Sequence, residues 1–254
     1  MKKMSKSLAV LAGACAAMFS FQACLDNDDS DTICIYPPYQ ANVLVTVKPT
    51  GDESFYMQLD DSTTLYPNNM EASPFGAKEV RALGQVVEVD KPSNGYTKAV
   101  NVLWIDSILT KTTAPDLGVS NDSIYGTDPV DIVKDWVTIA EDGYLTLRFR
   151  TNFGFNGTKH FVNLLTNQNP DNPYEVEFRH NAFGDVHGQR ADGLVAFKLD
   201  SLPDTQGKTV KLKLVWKSYD GVHSTEFDYC TDKSAPSSSS LISDVSTGMN
   251  AFMK

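Results

Sequence analysis

GYLTLRFRTNF, residues 143–153, alternates strictly: Leu145, Leu147 and Phe149 fall on one side of an extended chain, and Thr146, Arg148 and Arg150 on the other. A period of two marks a half-buried strand, because successive side chains of a strand point to opposite faces. KTVKLKLVWKSY, residues 208–219, repeats the pattern, with Leu212, Leu214 and Trp216 opposed to Lys211, Lys213 and Lys217. The lysine side predicts a solvated face that resists edge-to-edge pairing. Around these two lie DIVKDWVTIA (131–140), KHFVNLLTN (159–167), YEVEFRHN (174–181), GLVAFKLD (193–200) and HSTEFDY (223–229). Seven short strands separated by turn residues predict an antiparallel β-sandwich over residues 130–232.

Upstream, NVLVTVKP (42–49), SFYMQLD (54–60), EVRALGQVVEVD (79–90) and YTKAVNVLWIDSIL (96–109) read as longer, curved strands. Gly51-Asp52, Pro67-Asn68-Asn69, Pro74 to Gly76 and Ser93-Asn94-Gly95 supply the turns. Four or five strands in so short a stretch predict a small barrel over residues 41–112. Between the two units, KTTAPDLGVSNDSIYGTD (111–128) is poor in large apolar side chains and has the composition of a linker, assigned to 113–129. The fold class expected is therefore all-β, a barrel followed by a sandwich.

The first 23 residues have another character. Lys2, Lys3 and Lys6 precede an apolar run from Leu8 to Phe21, which ends at Ala23 just before Cys24. That is the anatomy of a secretory signal peptide. A cysteine at the cleavage point resembles the lipobox of bacterial lipoproteins, which implies a thioether-linked lipid on Cys24. Cleavage at the rival Cys15 would leave Ala16 to Phe21 exposed on a flexible end. Residues 25–31 carry four aspartates and no cation, so the segment 24–40 reads as a solvated acidic tether. An acidic run at this place resembles the export signal of lipoproteins on the outer face of the outer membrane, and implies a cell-surface address. From Lys233, with Pro236 and Ser237 to Ser240, a disordered tail is expected to 254.

The chain carries a formal charge of −10, and removing the leader deletes three lysines and no acid. An acidic body without a basic cluster excludes the counterion-releasing contacts that nucleic-acid binding needs. No later segment reaches the roughly 18 apolar residues of a membrane span.

Catalytic patterns are missing: no GxSxG elbow, no HExxH and no P-loop occurs. Glu175 and Glu177 share a strand face and could form an acid/base pair, but like-charged neighbours on a solvated face explain them as well. His160, His180, His187 and His223 all fall in the second unit. Asp185-Val-His187, with His180 nearby, puts two ligand types close together without a recognised metal spacing. The reading is a non-enzyme with no catalytic, cofactor or metal residues. Once Cys24 is lipidated, Cys34 and Cys230 form an even pair in a compartment that permits disulfides. A bridge between them would be worth up to about 5 kcal/mol in the chain-entropy model. Two separate thiols are the alternative, and a thiol titration of the unfolded protein without reductant separates the two.

VTVKP, YMQLDDSTTLYP, GQVVEVD, a Gly-Tyr step and IDSILTK resemble the N-terminal OB-type domain of NigD-like proteins. GYLTLRFR, KHFVNLL, VEFRHNAFGD and GLVAFKLDSL resemble that family's C-terminal sandwich. Arg81 departs from the pattern, preceding the glycine of ALGQ where the family's GxR places an arginine after it. The resemblance implies an OB-like barrel, a lipoprotein of the cell envelope, and a bacteriocin-immunity role with a protein partner. A glycan ligand, an accessory role in an envelope complex, and a carbohydrate-active hydrolase are the alternatives.

Overall fold

The computed structural model describes residues 41–51, 53–154 and 157–231. The leader, Cys24, the acidic tether, Cys34 and the tail expected from 233 lie outside them.

Five strands close the first unit: β1 (Val43–Gly51), β2 (Ser54–Gln58), β3 (Thr64–Pro67), β4 (Val80–Glu88) and β5 (Lys98–Ser107), in the order β1-β2-β3-β5-β4. β1 runs antiparallel to both β2 and β4, while β3 runs parallel to β5. Val43, Val45, Val47, Met57, Leu65, Ala82 and Val100 fill the interior, every second residue along β1 pointing inward. The shortest strand, β3, follows a turn built by Asp60, whose Oδ1 accepts the backbone N–H groups of Ser62 and Thr63 at 2.8 and 2.7 Å. Asn94 and Gly95 both adopt positive φ, 51° and 89°, as the turn leading to β5 requires.

The second unit packs two sheets. One has the order β10 (Phe161–Leu165), β11 (Glu175–Asn181), β13 (Val210–Ser218), β14 (Gly221–Tyr229). The other has the order β6 (Leu109–Thr112), β12 (Gln189–Lys198), β9 (Tyr144–Phe153), β7 (Asp131–Ile132), with β8 (Ile139–Glu141) also on β9. Leu145, Leu147, Phe149, Phe178, Phe197, Leu212, Leu214 and Trp216 form the core between them. The two alternations at 143–153 and 208–219 thus hold, with Lys211 and Lys217 exposed.

Three expectations are corrected. Residues 109–112 leave the barrel: β6 pairs in parallel with β12 of the sandwich. The stretch expected as a linker is built into the second unit, as Ala114 exchanges backbone hydrogen bonds with β10 and α1 (Asn121–Tyr125) is held by an Arg179–Asp122 ion pair of 2.7 Å. Its small polar residues close turns instead of spacing: Asn121 Oδ1 accepts from Leu117 N, and Asn121 Nδ2 donates to Asp116. Finally, 131–140 is two strands, because Thr138 Oγ1 donates to Val133 O at 2.6 Å and folds the chain back at Asp135.

A third core joins the units. Leu44 and Leu83 on the outside of the barrel meet Tyr144, Leu194 and Ala196 on the outer face of the sandwich sheet, with Ile108 and Val137 between them. This explains why GLVAF in β12 is apolar without alternation: Val195 and Phe197 enter the sandwich core, and Leu194 and Ala196 face the barrel. At about 2 kcal/mol for each fully buried aliphatic side chain, this contact favours one docked body over two units on a hinge.

Candidate functional site

Three of the polar clusters among the described residues bear on candidate chemistry. The first is the junction. The turn between β8 and β9 has Asp142 and Gly143 at φ 47° and 75°, the left-handed pair of a tight hairpin. It packs against the outside of the barrel. Arg81 on β4 is fully buried and donates from Nη1 to Thr46 Oγ1 at 3.0 Å and from Nη2 to Glu141 Oε1 at 2.7 Å. Its guanidinium carbon lies 5.8 Å from the centroid of the Tyr144 ring. Around it, Lys48 reaches Asp142 Oδ1 at 2.8 Å, Asp142 N donates to Asp61 Oδ1 at 2.8 Å, and Tyr144 Oη donates to Glu79 Oε1 at 2.6 Å. Burial pushes the Glu141 carboxyl up, and the Arg81 charge opposes that rise. The arginine that departs from the family pattern is thus the central strut between the units, with its register fixed by the Thr46↔Arg81 pair.

The second place is a chain of buried groups at one end of the sandwich. His160 Nδ1 lies 3.0 Å from His180 Nε2, and His160 Nε2 lies 3.1 Å from Asp185 Oδ2. The same Asp185 oxygen accepts Gly154 N at 2.8 Å, and Phe153 stacks on His160 with ring centroids 4.6 Å apart. Burial, then the neighbouring His160, pushes the His180 imidazole down to about 4. Both ring nitrogens of His160 are engaged, and among the described residues no group of three His, Cys, Asp or Glu is placed to hold a metal ion. Asp185 is buried while His187 is exposed, so the pair singled out in sequence is split and His160 takes the other place. His223 lies apart, paired with Asp220 at 2.8 Å.

The third place is β11. Glu175 Oε2 meets Lys213 Nζ at 3.0 Å and Glu177 Oε1 meets Arg179 Nε at 2.7 Å. Lys213 holds the Glu175 carboxyl below the usual carboxylate range. Each carboxylate is matched by its own cation, the arrangement of a charged sheet face and not of an acid poised beside a base.

The profile of the NigD-like N-terminal OB domain matches residues 44–108, and that of the NigD-like C-terminal β-sandwich domain matches residues 112–229. The chain belongs to the NigD-like family. Among solved structures, one from Parabacteroides distasonis that carries a toxin-related name shares 37% identity over 75% of this chain and 93% of its own, with a TM-score of 0.63. A protein of unknown function from Bacteroides vulgatus shares 22% identity over 83% and 98%, with a TM-score of 0.61. A NigD-like immunity protein from Bacteroides caccae shares 21% identity over 75% and 97%, with a TM-score of 0.56. At such identities the last two report the fold. No curated protein matches the chain.

As a NigD-like protein, the chain has its OB barrel and its sandwich welded at Arg81, a residue that sequence reading treated as a register anomaly. Cys230 is buried beside Thr205, whose Oγ1 lies 3.6 Å from the sulfur, while Cys34 lies outside the described residues. No helix among the described residues is long and apolar enough to cross a membrane.

Proposed function

We propose that this NigD-like chain is a non-enzymatic protective protein of the cell envelope, held to the membrane by a lipid on Cys24 and directed against a bacteriocin-like protein toxin. Family membership carries this reading: both domains match NigD-like profiles, and a relative of the same fold is named an immunity protein. The polar clusters agree with it, since their buried charges and histidines bond to one another. A protein of this kind acts by occupying a toxin or its target, which calls for a rigid body near the membrane surface. The welded junction supplies the rigidity and the acidic segment after Cys24 supplies the reach.

The anchor is tested by detergent phase partitioning of cells fed an alkyne-tagged fatty acid. The wild-type protein is expected to carry the tag and enter the detergent phase, and Cys24→Ala to lose the tag and enter the aqueous phase. Equal labelling and partitioning of the two proteins would refute the lipid on Cys24.

A further inference from the structure

β14 lies at the end of its sheet and pairs with β13 in a register that closes on Ser218↔Gly221. In a hairpin with two loop residues the closing pair is hydrogen-bonded, and bonded pairs then alternate along the ladder. His223, Thr225 and Phe227 therefore spend their backbone groups on β13, while Val222, Ser224 and Glu226 direct theirs away from it. Those outward N–H and C=O groups meet no hydrogen-bond partner among the described residues, and Val222 is 76% exposed. The other edges of the sandwich are short or covered: β7 has two residues, β8 three and β6 four, and β10 exchanges backbone hydrogen bonds with Ala114. Proteins commonly blunt a long edge with lysine, proline, a bulge or a covering loop. β14 has nine residues, neither lysine nor proline, and an unbroken register with β13.

We infer that β14 is a docking edge to which an extended, basic segment of a partner protein adds as a further strand. Backbone hydrogen bonds to Val222, Ser224 and Glu226 supply the affinity in this mode, and seats for alternate side chains supply the selectivity. Charge selects a basic segment. Asp228 is paired with Lys211 at 2.6 Å, but Glu226 makes no ion pair among the described residues, since Lys213 opposite it is taken by Glu175 at 3.0 Å. A second copy of the chain would instead bring Glu226 towards its own counterpart, on a chain whose formal charge is −10. A seat lies alongside: a cavity of about 270 Å³ is lined by Asp131 and Ile132 of β7 and by Trp216, Tyr219 and His223 of the hairpin. The residue of an added strand that stands opposite His223 shares its face, and so points to this cavity. The inference deepens the protective reading by naming where a protein partner docks, and rests on that reading only for the partner's being a toxin.

Displayed peptides of about ten residues, alternating Lys or Arg with Val, Ile or Thr, test it against the purified full-length chain, with Asp and Glu replacing the basic residues in a control set. Hydrogen–deuterium exchange of the free protein should be fast at Val222, Ser224 and Glu226 and slow at His223, Thr225 and Phe227. At least one basic peptide is expected to bind with a dissociation constant below about 1 mM and to slow exchange at the first three. Ser224→Pro removes an N–H that β13 does not use, a change an edge strand tolerates, and should weaken that binding by about tenfold or more. Should Ser224→Pro fail to give a wild-type thermal melt, Glu226→Lys serves instead, and should weaken the basic peptides while leaving the melt unchanged. Absence of basic-peptide binding at 1 mM, binding unchanged in these variants, equal binding of the acidic set, or slow exchange at Val222, Ser224 and Glu226 in the free protein would overturn the inference. So would a dimer that Ser224→Pro dissociates, which would give the edge to a second copy. Purified protein and peptides decide the docking edge and survival of cells decides the toxin reading, so each can fail while the other stands.

Discussion

Arg81→Met is expected to lower the free energy of unfolding by about 3–5 kcal/mol, because it leaves the Glu141 carboxylate buried at the domain junction without its partner. The size of the effect lies in desolvation more than in the attraction of the pair: a lone buried charge has lost water and gained nothing. The double variant Arg81→Met/Glu141→Leu should therefore recover most of the loss, since apolar replacement of a whole buried pair is close to neutral. Urea unfolding of the three proteins, followed by Trp104 and Trp136 emission at the junction, reads both numbers. A single variant within about 1 kcal/mol of wild type would place Arg81 among surface pairs of little weight.

Acid should destabilise the second unit through His180. Its imidazole is held neutral in the folded protein down to a pKa of about 4, against 6.5 for an unperturbed imidazole. Above 6.5 neither state binds the proton and the group contributes nothing. As pH falls below 6.5 the unfolded chain takes up the proton first, so stability declines until pH 4, where the folded state also protonates. The full decline is about 3 kcal/mol, at 1.36 kcal/mol per pKa unit. The groups that face this imidazole are His160, the next link in the chain, and Asp128. His180→Gln retains a polar group toward His160 and cannot titrate, so its stability should fall less steeply than wild type between pH 6.5 and 4. Identical pH profiles for the two proteins would show that the acid response comes from other groups.

Strand positions were legible where one face meets water. Leu145, Leu147 and Phe149, and Leu212, Leu214 and Trp216, alternate because their strands have one wet side for at least part of their length. The register of β12 was not legible, because the barrel covers its outer face and Leu194 and Ala196 became as apolar as Val195 and Phe197. β3 escaped notice because four residues ending in Pro67 look like part of a turn. The stretch after β6 looked like a linker because composition reports small polar residues without reporting that Asn121 and Asp116 use theirs to close a turn and bind neighbours. Arg81 misled for a related reason: a buried arginine leaves no pattern in sequence, since its partners Thr46 and Glu141 lie on other elements. His160 was separable from His180 and Asp185 in sequence but not in space, for β10 and β11 are adjacent strands with Val162 opposite His180.

The central claim is protection from the membrane surface, and a killing assay tests it most directly. A strain lacking the gene is challenged with culture supernatants of bacteriocin-producing relatives, alone and after complementation with the wild-type gene or with Cys24→Ala. The account predicts that the deletion strain loses survival against at least one producer, that the wild-type gene restores it, and that Cys24→Ala, expressed at the same level, does not. Survival unchanged by the deletion against every producer, or full rescue by Cys24→Ala, would contradict it.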